Sequence, residues 1–401
     1  MAVQELLPID QALAIILAQL STLSAETVPL AQGLGRVLAA DLLADRPQPP
    51  FDRSAMDGVA VRCADWTAGT VLRQQGQALA GAPFGQPLLP GHCVRIMTGA
   101  AVPAGADAVV PVERIAVQVH QGETEVTLLE PPRPEQHIAR TGSEVQAGQA
   151  VLRAGERLTG PRLGVAASFG HAVLPVVRRP IVALVPTGDE LVAVDAEPGP
   201  GQIRDSNRYA ISALLQPDAE VRHFAAARDQ PGALQQALQE AWQQADVLVT
   251  IGGVSAGDAD LVAPTLQLLG ATAHFHKIRI KPGKPLLFAT RGAQLAFGLP
   301  GNPLAACVCA ALFVRPALAR LQGDLADPWP QLLLPTAAAL PAVGPRDEVS
   351  ACVLTGQGQV QLLANRGSAD LPAFARGSWL AIRPAGSAAQ LPGALVRVVP
   401  Q

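Results

Sequence analysis

The chain has 401 residues, of which 49% are apolar and 16% charged, with 37 glycines, 36 prolines and a formal net charge of −3. This length exceeds what one ordinary hydrophobic core covers, so several domains are expected. The apolar content excludes a disordered chain, and the near-neutral charge argues against a nucleic-acid binder held mainly by phosphate contacts. We therefore expect the partners to be small molecules or other proteins.

The N-terminal part of the chain combines helical and β-rich patterns. Apolar residues recur at helical spacing from Pro8 to Leu20, and a second amphipathic stretch from Leu30 to Leu43 also predicts a helix. From Phe51 to about Arg140, short apolar runs broken by Gly and Pro predict a β-rich domain. Gly160 to Phe169 then predicts another helix, and His171 to Val177 predicts a strand.

Strands and helices alternate regularly from Pro180 onward. The predicted strands are Ile181–Val185, Glu220–Ala225, Val247–Ile251, Thr272–Ile280 and Leu295–Gly298, and the predicted helices are Tyr209–Leu215, Ala233–Gln244, Asp260–Leu269 and Pro303–Leu321. This alternation predicts a mostly parallel sheet covered on both faces. After Asp327, short strands and glycine turns predict a small all-β terminal domain.

The lysines form an unusual cluster. Only three of the 30 basic residues are lysines, and Lys277, Lys281 and Lys284 all lie in one short stretch. A chain that uses Arg for general surface charge keeps Lys where a compact ammonium is needed. Chance clustering on a solvated strand is the alternative, but the Gly/Pro-constrained loop Lys281–Pro285 favours a functional role.

Polar, glycine-rich loops follow the predicted strands of the α/β region. Ligands bind beyond the carboxyl ends of the strands in such sheets, so these loops are expected to converge on one rim. The loops are residues 186–190, 228–229, 252–260, 281–285 and 299–303. Loop 252–260 could hold a phosphate with its backbone N–H groups and the following helix N-terminus, although a simple tight turn remains the alternative. It has neither the Walker A pattern nor the dinucleotide-binding spacing.

Five carboxylates accompany these loops: Asp189, Glu190, Asp229, Asp258 and Asp260. Asp229 and Asp258 lie where helix N-caps are expected, so capping is the simpler role for each. Glu190 and Asp260 are better candidates for function, because Mg²⁺ is commonly held by one or two carboxylates together with substrate phosphate oxygens. His274 and His276 alternate on a predicted strand without further ligands at metal spacing, so we expect them to be structural.

Two polar turns in the β-rich region carry further candidates. Asp57 and Thr98 lie between small residues and could contact a ligand.

No Ser/His/Asp or Cys/His arrangement indicates a hydrolase triad. The five cysteines show no paired spacing, which favours a reduced cytoplasmic protein, and no apolar run approaches the roughly 18 residues of a membrane-spanning helix.

Taken together, seven motifs resemble, in the same order, those of the molybdopterin molybdotransferases, the family of the bacterial MoeA proteins and the C-terminal domain of gephyrin. The motifs are Ser54–Gly58, Arg95–Ala100, Thr187–Leu191, Asp205–Asn207, Gly252–Ser255 with Gly257 and Asp260, Ile280–Pro285 and Gly298–Pro303. The resemblance covers nearly the whole chain.

The resemblance implies an α/β multidomain protein in four parts that forms a homodimer. An elongated helical and linker domain would comprise residues 1–45 and 141–178, interrupted by a β-rich inserted domain at 46–140. A central molybdopterin-binding α/β sheet domain would comprise 179–326, and a small β domain 327–401. We expect a cytoplasmic protein with no nucleic-acid or membrane partner.

The resemblance also implies a reaction, the insertion of molybdate into adenylylated molybdopterin with release of AMP and assistance from Mg²⁺. The catalytic candidates are Asp57, Thr98, Glu190, Asp260, Lys281 and Lys284, of which Glu190 and Asp260 are the metal candidates. The substrate- and phosphate-binding candidates are Thr187, Gly188, Asp189, Asp229, Gly252, Gly253, Ser255, Gly257, Pro300 and Gly301. Asp57 and Thr98 would come from the dimer partner. The molybdopterin adenylyltransferase and proteins that mature molybdoenzymes are the further partners that would fit.

The chain departs from the family pattern at a few positions. Ala139–Glu144 has fewer cations than the expected Arg-rich segment and Glu in place of Asp, Val59 replaces an aromatic residue, and Pro186 replaces Ser. Two other functions stay open at this point. Molybdopterin adenylyltransferase activity needs only an α/β domain, and a scaffold role would follow from the gephyrin resemblance.

Overall fold

The computed structural model describes residues 6–228, 230–254, 261–327 and 330–401. The chain divides into two compact units. The larger comprises Met1–Ala40, Ala154–Gly160 and Val173–Gln401, and the smaller comprises Asp41–Arg153 and Pro161–Ala172. The finer division into four domains stays a prediction.

A six-stranded sheet forms the centre of the larger unit. In chain order its strands are β1 (Ile181–Pro186), β2 (Glu220–His223), β3 (Val247–Ile251), β4 (Thr272–His276), β5 (Leu287–Arg291) and β6 (Gln294–Leu299). Their order across the sheet is β2-β1-β3-β6-β5-β4. Strands β2, β1, β3 and β6 are parallel to one another, and β5 is antiparallel to both β6 and β4. All strands except β5 therefore end at the same edge, and the predicted α/β class is confirmed.

Helices cover both faces of this sheet, and its central strands are accordingly buried on both sides. All five residues of β3 are buried, as expected for a strand that packs on two sides. Leu184 and Val249 belong to one core cluster together with the helices Ser206–Leu215 and Pro303–Leu321. Their sequence neighbours Ala183, Val185 and Leu248 pack in a second cluster with the helices Pro231–Gln243 and Val262–Leu268. The sheet is thus held rigidly from both sides.

The helix Pro303–Leu321 is a core helix with a π-helical stretch at Ala310–Val314. Among the described residues it alone is long and apolar enough to cross a membrane by length and composition. Of its most apolar 18-residue window, 83% is buried within the fold. Its apolar character is therefore explained by packing against the sheet.

The helix expected over Leu30 to Leu43 was a wrong prediction. Only Leu30–Gln32 forms a short 3-10 turn, and Leu42–Leu43 is a short strand. Gly35 has φ +74°, and its N–H donates to the carbonyl of Leu158 at 2.8 Å. The backbone of this segment therefore pairs with a distant part of the chain instead of with itself. The predicted helix Pro8 to Leu20, by contrast, is observed as Ile9–Ala18.

The strand predicted over Thr272 to Ile280 is shorter than expected. It ends at His276, and Lys277 adopts φ +85°, which turns the chain out of the sheet. Ile280–Lys281 instead pairs with the C-terminal strand Asp347–Leu354. Strand β5, which follows the lysine loop, was not predicted.

The predicted helix Asp260–Leu269 is observed as Val262–Leu268, and Asp260 lies outside the described residues.

A C-terminal sheet completes the larger unit. Its strands are Ile280–Lys281, Asp347–Leu354, Trp379–Arg383, Leu395–Pro400 and Leu332–Pro335, with Val360–Leu362 paired to Asp347–Leu354. The all-β prediction missed one short helix, Leu371–Ala375, whose first turn is capped by the Asp370 side chain. The pairing of Ile280–Lys281 with this sheet brings the lysine loop to it.

The smaller unit contains a mixed six-stranded sheet. In spatial order its strands are Ala108–Pro111, Gly58–Val61, His92–Ile96, Val71–Ala78, Glu123–Leu128 and Ile115–His120. Strand Gly58–Val61 is buried along its whole length, and its neighbours carry the rest of the apolar core. Its helix Gly160–Ser168 agrees with the prediction.

Candidate functional site

Three strand ends surround a cleft of about 630 Å³ in the larger unit. The Thr187 N–H donates to the carbonyl of Ile251 at 2.9 Å, and the Gly252 N–H donates to the carbonyl of Leu299 at 2.9 Å. The loops after β1, β3 and β6 are therefore tied to one another at the carboxyl edge of the sheet. The cleft thus lies where the sequence predicts a ligand site. Its predicted residues are Thr187, Gly188, Glu190, Gly252, Gly253, Pro300 and Gly301.

Glycine is required at the turn after β3. Gly252 has φ +96°, and a Cβ there would lie 2.8 Å from the Thr187 carbonyl oxygen. Gly253 has φ +63°, and its Cβ would lie 2.9 Å from a methyl carbon of Val262. The turn can take this shape only without side chains, which leaves the backbone of the turn open along the cleft.

The two acids after Gly188 differ in position. Glu190 lines the cleft, and its carboxylate folds back over Gly188, where a Cβ would lie 2.4 Å from Oε2. Asp189 is exposed and does not line the cleft. Glu190 is thus the acid of this pair that faces the cleft.

The helix Ser206–Leu215 begins at the cleft, and the residues at its start belong to one of the seven motifs but are not among the predicted site residues. Asp205 caps it by accepting the Arg208 N–H at 3.1 Å, and Asp205, Ser206 and Asn207 line the cleft. Asn207 Nδ2 donates to the Gly301 carbonyl at 2.7 Å. The Asp-Ser-Asn capping sequence was the signal that could have identified them.

A second cavity of about 300 Å³, here called the lysine cavity, adjoins the cleft. Lys281 and Lys284 line it, and the cleft and the lysine cavity share Pro285, Pro300 and Asn302. The C-terminal sheet and a loop between its strands supply residues that the sequence did not predict for the site: Arg346, Glu348, Ser350, Asn365 and Ser368. Three cations and one carboxylate thus surround a space large enough for a small anion.

The lysine loop is held by backbone hydrogen bonds at its base. Lys277 N–H donates to the Leu286 carbonyl and Ile278 N–H to the Lys284 carbonyl, both at 2.9 Å. A Cβ at Gly283 would lie 2.6 Å from Cys309 Sγ, so the loop packs closely on the core helix. Burial raises the pKa of the Cys309 thiol, which is consistent with a small packing residue.

Asp57 and Thr98 contact each other in the smaller unit. The Thr98 N–H and Oγ1 both donate to Asp57 Oδ1, at 2.7 and 2.6 Å. These two hydrogen bonds, with a smaller contribution from the Arg95 charge, lower the pKa of the Asp57 carboxyl below its ordinary value. Two separate sequence motifs are thereby joined into one polar pair.

The segment that departs from the family pattern is occupied by internal ion pairs. Arg140 pairs with Asp52 and Glu135, and Arg53 pairs with Glu144 at 3.0 Å. A hydrogen bond from the Thr141 N–H contributes most to lowering the pKa of Asp52. Both charged residues of this segment, Arg140 and Glu144, are therefore paired within the same unit.

Several predicted site residues lie outside the described residues, namely Asp229, Ser255, Gly257 and Asp260, as does Asp258. Within the described part of the chain, no group of three or more His, Cys, Asp or Glu side chains could hold a metal ion. Of the described carboxylates that line the cleft, Glu190 is exposed and Asp205 is buried against Arg208. One exposed carboxylate suits a Mg²⁺ ion that takes most of its ligands from phosphate and water.

The two histidines have structural partners, as expected. His274 Nε2 lies 2.8 Å from Thr290 Oγ1, and its ring stacks on Phe288. His276 Nε2 lies 3.1 Å from the Val254 carbonyl oxygen. Both side chains thus serve the packing of the sheet and its loops.

Comparison with known proteins identifies the family. Residues 7–170 match the MoeA N-terminal region (domain I and II), and residues 183–320 match a probable molybdopterin binding domain. A molybdopterin molybdenumtransferase of Haemophilus influenzae is 38% identical over 80% of this chain and 78% of its own length. The chain belongs to the molybdopterin molybdenumtransferase family. It is therefore a transferase of molybdenum cofactor biosynthesis.

Other members of the family agree over longer stretches. The molybdopterin molybdenumtransferase of Synechococcus elongatus is 35% identical over 95% of this chain and 96% of its own length. Two crystal structures of the molybdopterin biosynthesis MoeA protein from Pyrococcus horikoshii have TM-scores of 0.86 and 0.79 at 26% and 29% identity. Each comparison covers 99% of this chain and 99% or more of the other.

Proposed function

We propose that this molybdenumtransferase inserts molybdate into adenylylated molybdopterin and releases AMP, with assistance from Mg²⁺. The observation that carries the proposal is the pairing of two adjoining sites, a large glycine-walled cleft and a small cationic cavity. The cleft of about 630 Å³ fits a nucleotide-sized ligand, and the lysine cavity of about 300 Å³ fits a tetrahedral oxyanion.

The chemistry of the two sites indicates which part of the substrates each one binds. The glycine turn after β3 and the N-terminus of the helix Ser206–Leu215 favour phosphate oxygens in the cleft. Lys281, Lys284 and Arg346 favour molybdate, a dianion, in the lysine cavity. Because the cavities share Pro285, Pro300 and Asn302, an oxyanion in one lies close to a ligand in the other. This proximity suits the transfer of the metal to the dithiolene sulfurs.

Glu190, together with Asp260, would hold Mg²⁺ at the pyrophosphate. When bound, this ion neutralises charge that develops on phosphate oxygens as the link to AMP breaks. The residues of the chain bind and orient the two anions: the glycine turn holds phosphate, and the lysines hold molybdate. The family resemblance, together with the Asp57–Thr98 pair, supports a role for Asp57 in positioning a ligand or the metal.

The wider setting is part of the same proposal. By resemblance to the family, the protein would be a cytoplasmic homodimer in which Asp57 and Thr98 of one subunit serve the cleft of the other. The adenylyltransferase that makes the substrate and proteins that mature molybdoenzymes would be its partners. The burial of the apolar helix Pro303–Leu321 in the core supports a protein without a membrane partner.

Incubation of the purified protein with adenylylated molybdopterin, Mg²⁺ and molybdate tests the proposal, with AMP followed by chromatography. AMP release should require both Mg²⁺ and molybdate, and E190Q should reduce it strongly. D189N is the matched control, since Asp189 does not line the cleft and should retain near-normal AMP release. Release of AMP that is independent of molybdate would refute the proposed reaction.

A further inference from the structure

Glu348 is a carboxylate among the cations of the lysine cavity. Of the described residues that line this cavity, Lys281, Lys284 and Arg346 are positive and Glu348 alone is acidic. Glu348 Oε1 lies 4.0 Å from Lys281 Nζ. A carboxylate in a site proposed for an anion repels that anion and lowers its affinity. Glu348 therefore does not serve to attract the ligand and is expected to have another role.

The other oxygen of Glu348 is anchored from inside the fold. Arg383 Nη1 donates to Glu348 Oε2 at 3.0 Å, and the Arg383 side chain is only 3% exposed. The two residues face each other across the strands Asp347–Leu354 and Trp379–Arg383. Arg383 also donates to the Pro341 carbonyl. The carboxylate is therefore fixed in place, while 62% of the Lys281 side chain is exposed to solvent.

We infer that Glu348 lowers the affinity of the lysine cavity for the oxyanion by competing with it for Lys281. The inference rests on the proposed function of the lysine cavity. Before molybdate arrives, Glu348 keeps the Lys281 ammonium at the edge of the cavity. Molybdate must draw that ammonium away, and the fixed carboxylate continues to repel the bound dianion. Glu348 thus keeps molybdate exchangeable, so that it can leave the cavity for the dithiolene.

Removal of the Glu348 charge should strengthen molybdate binding without speeding turnover. E348Q removes the charge and keeps the shape, so molybdate should bind about five- to tenfold more tightly, a modest effect because Lys281 is largely solvated. The KM for molybdate should fall to a similar extent, and kcat should fall with it, because molybdate that is held more tightly in the ground state leaves the cavity more slowly. A purely structural pairing of Glu348 with Arg383 predicts lower stability and unchanged molybdate binding.

Titration of sodium molybdate into the full-length protein by calorimetry at low ionic strength is the direct test. E348D keeps the charge and should bind molybdate no more tightly than the wild type. D10N removes an equivalent surface charge, since Asp10 pairs with Arg397 of the same C-terminal sheet at 3.0 Å but lies outside the lysine cavity. Unchanged or weaker binding by E348Q, or equal tightening by E348D or D10N, overturns the inference.

Two further variants keep the test decisive. If E348Q is unstable because Arg383 loses its partner, E348Q/R383M removes both charges and should still bind molybdate more tightly than the wild type. K281M/K284M separates this inference from the proposed function. If that variant binds molybdate as well as the wild type, the cavity assignment itself fails. If it binds weakly while E348Q is unchanged, only the role of Glu348 fails.

Discussion

The hydroxyl and backbone N–H of Thr98 both bind one oxygen of Asp57, and this pair allows a test at the scale of single residues. Since these hydrogen bonds are what mainly lower the pKa of Asp57, T98A should raise that pKa toward its ordinary value. The Asp57 charge is then lost at a higher pH as the solution is acidified. NMR titration of the carboxyl carbon measures the change, and T98S, which keeps the hydroxyl, is the control. An unshifted pKa in T98A would contradict the assigned cause.

Lys281 tests whether the site needs an ammonium. Its ammonium lies 4.0 Å from Glu348, and the planar guanidinium of K281R would pair more strongly with that carboxylate and so be less available to molybdate. We expect K281R to lower kcat/KM for molybdate about tenfold or more, and R376K, an exposed exchange outside both cavities, to leave it unchanged. Wild-type kinetics in K281R would remove Lys281 from the site.

The residue composition of the chain predicted some of the residues that line the lysine cavity but not others. Three lysines in an Arg-rich chain pointed to the loop that lines the lysine cavity. Arg346 and Glu348 were not predicted, because they reach the cavity through the pairing of Ile280–Lys281 with a strand far along the chain. Such a long-range pairing leaves no local pattern in the sequence.

Among the secondary-structure elements, the turn after β3 allows a test of its effect on the free energy of unfolding. G252A should lower the free energy of unfolding by about 1–3 kcal/mol, because φ is +96° and the new Cβ would lie 2.8 Å from the Thr187 carbonyl oxygen. G301A is the matched control in the same cleft. The Cβ that it adds would lie 3.6 Å from its nearest neighbour, Gly252 Cα, and the φ of Gly301 is not left-handed. Equal denaturant midpoints for the two variants would show that the turn is not constrained as described.

Sequence patterns predicted elements well where packing and local pattern agree. The strands β1 and β3 are nearly continuous apolar runs, with Thr250 the exception, because both of their faces are buried, and that pattern is visible in the sequence. The segment Leu30–Leu43 has apolar residues at helical spacing but contains Gly33 and Gly35, and its backbone bonds to a distant segment. Hydrogen bonds between remote parts of the chain overrode the periodicity there.

At the scale of the whole molecule, the proposed homodimer predicts complementation. D57N and K281M should each be nearly inactive alone, because one lacks the Asp57 carboxylate and the other the Lys281 ammonium. If each active site takes these residues from different subunits, mixed dimers formed by refolding the two variants together should regain up to about a quarter to a half of wild-type activity. Activity that stays at the level of the separate variants in verified mixed dimers would contradict a shared site.

Molybdate is expected to bind in the lysine cavity, next to the cleft proposed for the nucleotide. Diffraction from crystals soaked in molybdate, recorded on both sides of the molybdenum absorption edge, locates the metal directly. We expect an anomalous peak within reach of Lys281, Lys284 and Arg346, and we expect the peak to be lost in K281M/K284M. A peak at the glycine turn after β3, or none in the lysine cavity, would contradict this expectation.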